Sequence, residues 1–384
     1  MQSEMGKLPA QVRENLAKFD SRVLVLQGGG ALGAYQAGVF EGVASLGFAP
    51  DWVAGISIGA INAALIAGNP PERRVERLRE FWNRASSHAT FMPPASFDTM
   101  RPYFNAWSAA QVVALGVPGF FVPRMPPPVA ARPGDPSTLS LYDTQPLKAT
   151  LEELVDFDLI NSKHVRLSLG AVNVRSGATV FFDNTKTTIE PEHVMASGAL
   201  PPGFPPVGIG GEWYWDGGIS SNTPLWYVVD EGYRNSALIL QIDLFSGAGA
   251  LPQNLSQVQE RMKDIQYSSK SRFGSARIKE IEDLRGALRR VLDKLPQELH
   301  DDPDVQRLAG ISTRGAVALV HFTNRHNTRS SDFKDYEFSR ATMNDLWGGG
   351  LADVRSAIER EAWHNVVELA EGIRIFDLTP LEAS

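Results

Sequence analysis

Gly55-Ile56-Ser57-Ile58-Gly59 is the stretch that decides how this chain folds, because it sets a serine between two glycines at a strand-to-helix turn. Trp52-Val53-Ala54 before it reads as the end of a buried strand. Ala60 to Ala67 after it reads as a helix stopped at Gly68-Asn69-Pro70. An elbow of this kind exposes the Ser57 hydroxyl. Gly55 and Gly59 let strand and helix approach closely, and the Ile58 amide points to where an oxyanion would form. The same pentapeptide also fits a plain packing turn, so Ser57 is a candidate nucleophile whose case rests on the rest of the chain.

Upstream, Gly28-Gly29-Gly30-Ala31-Leu32-Gly33 follows the apolar run Val23-Leu24-Val25-Leu26. Read as G-x-G-x-x-G it fits a dinucleotide fingerprint, with Asp51 where a ribose-binding acid is expected. The position of Asp51 argues against that chemistry. A ribose-binding carboxylate should end the second strand, whereas Asp51 precedes Trp52-Val53-Ala54. Consecutive glycines also suit a loop whose amides face one developing negative charge. A third element, Asp216-Gly217-Gly218, follows the aromatic run Trp213-Tyr214-Trp215. A carboxylate there can accept a serine proton, although an Asp-Gly pair is also an ordinary turn.

Together these clusters resemble the patatin-like phospholipase family, as do Leu141 to Leu147 and Ala196 to Val207. The resemblance covers about residues 20 to 250. It implies an α/β fold of three layers with a mainly parallel central sheet and the nucleophile on a strand-turn-helix elbow. It also implies a serine acyl hydrolase of the lipase or phospholipase A type, acting on carboxylic esters of lipids. Ser57 would be the nucleophile and Asp216 the general base, with Gly28, Gly29, Gly30 and Ile58 forming the oxyanion hole. Gly33, Gly55, Gly59, Gly217 and Gly218 complete the motifs. Many members carry Lys or Arg where this chain has Leu32, which leaves backbone amides as the oxyanion donors. No cofactor and no metal are implied. A nucleotide-binding oxidoreductase using Gly28 to Gly33, or a non-catalytic lipid-binding module, are the alternatives.

A Ser-Asp dyad needs no histidine. His321 and His326 are the candidates by chain order for a Ser-His-Asp triad, and alternation in Ala316 to Phe322 explains His321 as a structural residue. The dyad therefore carries the expectation that activity shows no loss near pH 6 to 7 of the kind an essential histidine causes.

Composition bounds the class. With 384 residues, 43% hydrophobic and 21% charged, the chain can bury a large α/β core. It has no cysteine, so disulfides and thiolate metal sites are excluded. Its net charge of −7 argues against nucleic acid and against anionic bilayers as partners. The amino terminus lacks an apolar signal core, and Val53 to Ala67 is too short to span a membrane, so a cytoplasmic protein is expected. Any membrane contact would be local, transient and peripheral.

Phe91 to Pro136 holds ten prolines and seven aromatics, which reads as excluding a long helix or central strand. The segment is expected as an apolar lid or acyl-chain wall over the serine, or else as a surface loop closing the core. Arg261 to Lys294 reads as a solvated, ion-paired helix face rather than a headgroup patch. Elsewhere the pattern predicts strands at Arg22 to Gln27, Val165 to Val174, Ala178 to Phe182 and Leu238 to Phe245. It predicts helices at Ala34 to Leu46, Glu72 to Arg84 and Pro146 to Val155, and one capped by Thr223-Pro224 that runs to Glu231. Asp243 is a fallback carboxylate at a strand end. Residues 251 to 384 are expected as a mostly helical extension packed on the core, with room for a homo-oligomer contact. Gly348-Gly349-Gly350 reads as a hinge before a closing helix from Leu351 to Glu371.

Overall fold

The computed structural model describes residues 14, 16, 18–87, 101–128, 134–232, 236–312, 316–326, 334–360 and 372–379. The strands among them are β1 (Ser21–Leu26), β2 (Trp52–Ile56), β3 (Val122–Pro123), β4 (Tyr142–Asp143), β5 (Arg166–Asn173) and β6 (Thr179–Asp183). They continue with β7 (Val207–Ile209), β8 (Glu212–Asp216), β9 (Ala237–Asp243), β10 (Ala316–Thr323) and β11 (Gly372–Asp377). The helices are α1 (Gly33–Ser45), α2 (Ile58–Ala67), α3 (Arg74–Ala85), α4 (Arg101–Leu115), α5 (Gln145–Leu154) and α6 (Phe157–Asn161). After them come α7 (Pro191–Ser197), α8 (Leu225–Glu231), α9 (Leu255–Leu292), α10 (Pro303–Ile311) and α11 (Arg340–Glu359).

β1 is apolar on both faces, which in a strand means burial on both sides. Leu24 and Leu26 join the core beneath α1, α2, α3 and α11, while Val23 and Val25 join a second core covered by α8 and Ile278 of α9. The result is a sheet between two helical layers, ordered β11-β10-β9-β1-β2-β5-β8-β7, with β6 beside β5. From β11 through β5 every pairing is parallel, and the pairings of β6, β7 and β8 are antiparallel. Among the described residues no helix is long and apolar enough to cross a membrane.

The register around β5 positions the site. β6 pairs with residues 168 to 172 and β2 with residues 166 to 170, so the two lie on opposite edges. β8 pairs with residues 171 to 173, which overlap β6, so β8 must lie on the edge that β2 occupies. Ile56 pairs with Gly170 and Asp216 with Ala171. β2 and β8 therefore meet end to end, running toward each other, and each leaves its last residue at the junction.

Several expectations are corrected. The segment from Phe91 to Pro136 does contain a helix of 15 residues, α4. Pro102 falls in its first turn, where the missing N–H forfeits no bond, and the next proline, Pro118, lies past its end. Phe91 and Phe97 lie outside the described residues. Gly348 to Gly350 is no hinge but the interior of α11. Its reason is backbone contact with α1: a Cβ on Gly350 would stand 2.4 Å from the Tyr35 carbonyl oxygen, and one on Gly38 would stand 2.1 Å from that of Trp347. Residues 361 to 371 of the expected closing helix lie outside the described residues. Thr223 does not cap α8, because its hydroxyl accepts from Gln27 Nε2 at 3.1 Å.

Candidate active site

Ser57 follows β2 at the turn into α2 with φ 58° and ψ −127°, a backbone region that costs a non-glycine residue strain. Local bonds hold it there. Its N–H donates at 3.1 Å to both the carbonyl and the hydroxyl oxygen of Ser197, and the Ser197 hydroxyl donates at 2.6 Å to the Gly170 carbonyl. Its carbonyl accepts from Ala60 and Ile61, which starts α2. The flanking glycines are required by approach rather than turn type. A Cβ on Gly55 would lie 2.3 Å from the Gly59 carbonyl oxygen, and one on Gly59 would lie 2.4 Å from that of Leu26.

Asp216 is 1% exposed and accepts the Ser57 hydroxyl together with the Gly218 N–H at 2.7 Å. Burial pushes its carboxyl up to about 6, against those two hydrogen bonds, which favour the charged form. A buried carboxyl raised toward pH 6 thus sits beside the serine without any imidazole, so an acid limb in that region would not require a histidine.

The glycine loop lies over this pair. Gly28 is tied on both sides to Asn222: its N–H donates to the Asn222 carbonyl at 3.1 Å, and its carbonyl accepts from Asn222 Nδ2 at 2.9 Å. That spends the Gly28 amide, so its expected place among the oxyanion donors is corrected; Gly29, Gly30 and Ile58 border the cavity with it. Ile58, as the first residue of α2, has no intrahelical acceptor for its N–H. Gly30 has φ +56°, and a Cβ there would meet the Asp335 carbonyl oxygen at 2.0 Å. The same carbonyl accepts the Ala31 N–H at 2.8 Å. Beneath the loop, buried Gln27 accepts from the amides of Leu244 and Phe245 and donates to Thr223 and Tyr267. Leu32 is buried, and Gly33 abuts Ile58 and Trp82.

Ser57 and Asp216 open into a cavity of about 340 Å³ whose walls are mostly apolar. Phe120 stands among Phe121, Phe204 and Phe338 at centroid distances of 5.3, 5.8 and 6.0 Å. From the Phe91 to Pro136 segment, Val112, Val113, Phe120 and Phe121 line the cavity. Tyr267, Asp335, Tyr336 and Phe338 also line the cavity, and sequence reasoning missed all four. They come from α9 and from the segment before α11. Crossed ion pairs join these elements: Lys334 to Glu260 and Asp264 at 3.1 and 2.6 Å, and Lys263 to Asp335 at 2.8 Å. The Lys334-Asp335-Tyr336-Glu337-Phe338 alternation is the available signal, inside the stretch expected only as a mostly helical extension. Ser197 lies within the Ala196 to Val207 stretch and Asn222 just before Thr223-Pro224, and neither carries a local signal for its role.

Neither histidine candidate lines the cavity. His321 Nδ1 lies 3.1 Å from Asp243 and its Nε2 lies 3.3 Å from Ser275, while His326 Nε2 lies 2.9 Å from Asp353. Asp243 likewise belongs to that second cluster rather than to Ser57.

A model of the patatin-like phospholipase family matches residues 24–229, which is more than half of the chain. The chain belongs to the patatin-like phospholipase family. A second model, described as patatin phospholipase, matches residues 265–369, so the family likeness extends into the carboxyl-terminal third. Among solved structures the chain is similar to VipD from Legionella pneumophila, at 16% identity and a TM-score of 0.32. That match covers 64% of this chain and 52% of VipD. It is also similar to the ExoU–SpcU complex of the Pseudomonas aeruginosa type III secretion system, at 17% identity and a TM-score of 0.27. Here the shares are 76% of this chain and 59% of the other. Both likenesses are too distant to bear on the site. No curated protein matches the chain. Within the family, this patatin-like chain has the elbow, the Asp-Gly-Gly turn and the glycine loop converging on one apolar cavity.

Proposed function

We propose that the chain is a serine acyl hydrolase that cleaves carboxylic esters of lipids with Ser57 as nucleophile and Asp216 as general base. The observation that carries this reading is the strained Ser57, its hydroxyl held by a buried carboxylate at the floor of an apolar cavity. Ser57 Oγ attacks the ester carbonyl carbon while its proton passes to Asp216. The resulting oxyanion is held by the amides of Gly29, Gly30 and Ile58, and the positive end of α2 points the same way. Collapse expels the alcohol, which takes the proton back from Asp216. Water, deprotonated by the same carboxylate, then attacks the acyl carbon, and collapse breaks the bond to Ser57 Oγ, which takes the proton back from Asp216 as the acid leaves.

The wall of Phe120, Phe121, Phe204 and Phe338 suits a hydrocarbon chain and offers nothing to a nucleotide's phosphates or ribose. The nucleotide-binding alternative also asks Gly28 for an amide already spent on Asn222.

Hydrolysis of p-nitrophenyl esters of increasing acyl length, together with a fluorophosphonate label located by mass, tests the reading. The expected result is turnover by wild type, a label on Ser57, and a loss of at least roughly a hundredfold in Ser57→Ala and Asp216→Asn. Turnover that survives Ser57→Ala, or a label on another residue, overturns it.

A further inference from the structure

From Tyr103 onward the outward face of α4 carries no charge. Tyr103, Trp107, Ala110 and Ala114 recur along it at helical spacing, and Tyr103 is 77% and Trp107 53% exposed. Such rings gain nothing from water. From residue 103 to 128 the one charged side chain is Arg124, and its guanidinium is turned inward, donating to Ser140 Oγ and to the Ser137 carbonyl, each at 3.0 Å. In the facing arm, Asp135 accepts the Ser137 N–H and Asp143 accepts the Gln145 N–H.

This face runs into the catalytic cavity. Val113 and Leu200 are both exposed at the surface and part of the cavity wall. The Tyr142 hydroxyl donates to the Val113 carbonyl at 2.9 Å, and the Leu141 N–H donates to the Pro202 carbonyl at 3.0 Å. These bonds join α4, the β3–β4 hairpin and the Leu200 loop into one platform around the mouth, with Met125 projecting from the hairpin at 82% exposure.

We infer that this platform is the surface by which the protein seats on a zwitterionic phospholipid layer, the substrate leaving the layer directly into the cavity. The inference rests on the hydrolase reading. A tryptophan and a tyrosine on an uncharged face suit the boundary between headgroups and acyl chains. A lipid is favoured over a protein partner by the continuity with the cavity: a protein seated on the platform would close the mouth, whereas a lipid layer supplies what the mouth admits. A zwitterionic layer is favoured over an anionic one by charge. Among the platform's described side chains the one cation, Arg124, is engaged, and a protein of net charge −7 is repelled by an anionic surface.

The test uses the full chain carrying Ser57→Ala, so that vesicles stay intact, in flotation with phosphatidylcholine vesicles at low and high salt. Binding that salt leaves unchanged, and that falls about tenfold in Trp107→Glu and again in Tyr103→Glu, is expected. Both substitutions, placed in otherwise wild-type protein, should leave hydrolysis of p-nitrophenyl butyrate within about twofold and the melting temperature unchanged. Absence of binding to phosphatidylcholine overturns the inference, as does binding that needs phosphatidylserine and is lost in salt. So does a solution dimer that Trp107→Glu dissociates, which would give the face to a second copy of the chain. Hydrolysis of the soluble ester reads the hydrolase assignment separately, so the failure of one is not mistaken for the failure of the other.

Discussion

Asp216 reaches Ser57 from the opposite direction along the same edge of β5: Ile56 pairs with Gly170, and Asp216 pairs with the next residue, Ala171. The sheet itself sets the distance between Ser57 and Asp216, because both follow from two consecutive positions of one strand. Ser197 ties the junction together, bonding the Ser57 amide on one side and the Gly170 carbonyl on the other.

The pH dependence of kcat/KM should show an acid limb centred near pH 6, since Asp216 must be ionised to accept the serine proton and burial holds it up to about 6. The limb should persist unchanged in His321→Ala. A limb that vanishes with His321 would assign it to that imidazole.

The same burial makes Asp216 a cost to the fold. Its folded pKa lies above the unfolded one, so its contribution to stability is fully present below about pH 4 and is lost as pH rises through about 6. Asp216→Asn should therefore melt higher than wild type at pH 8, by roughly 1–3 kcal/mol of stability, with the gain shrinking toward pH 4. Thermal melts at the two pH values check the sign. Equal melts for wild type and variant at pH 8 would contradict it.

Gly30→Ala should cost roughly a hundredfold in kcat, because a Cβ there collides with the Asp335 carbonyl oxygen and the residue's positive φ disfavours any side chain. Circular dichroism should show an intact fold, and steady-state kinetics should put the loss in kcat more than in KM.

Two glycines in one helix should respond with opposite sign. Gly350→Ala pushes α11 off α1 and should destabilise by about 1–3 kcal/mol. Gly348→Ala meets nothing within 4 Å and should stabilise by up to about 1 kcal/mol through helix propensity. Urea unfolding of both variants measures the pair.

The parts legible in the sequence were those encoded locally. Val23 to Leu26 reads as a central strand because burial on both faces leaves an unbroken apolar run, and Leu238 to Phe245 reads likewise because only Gln241 and Asp243 interrupt its apolar residues. The elbow was legible because Gly55 and Gly59 are needed at fixed spacing from Ser57. What could not be read depends on register and long-range contact. Nothing near Asn222 says that it clamps Gly28, and nothing near Asp335 says that its carbonyl meets Ala31. Gly348 to Gly350 misled because a glycine chosen for close helix contact has the same local signature as one chosen for a turn. α4 was missed because its proline density was averaged over a segment in which the prolines fall at the ends.

The anchoring of Ala31 by Asp335 has a consequence for the order in which the protein is made. Synthesis delivers Ser57 and Asp216 long before Asp335, Tyr336 and Phe338 leave the ribosome. A nascent chain thus carries the proposed nucleophile and base while one wall of the cavity and the anchor of the glycine loop are still unmade. A fragment released early by a stalled ribosome or a truncated message would hold the reactive pair without the chamber that gives it a substrate.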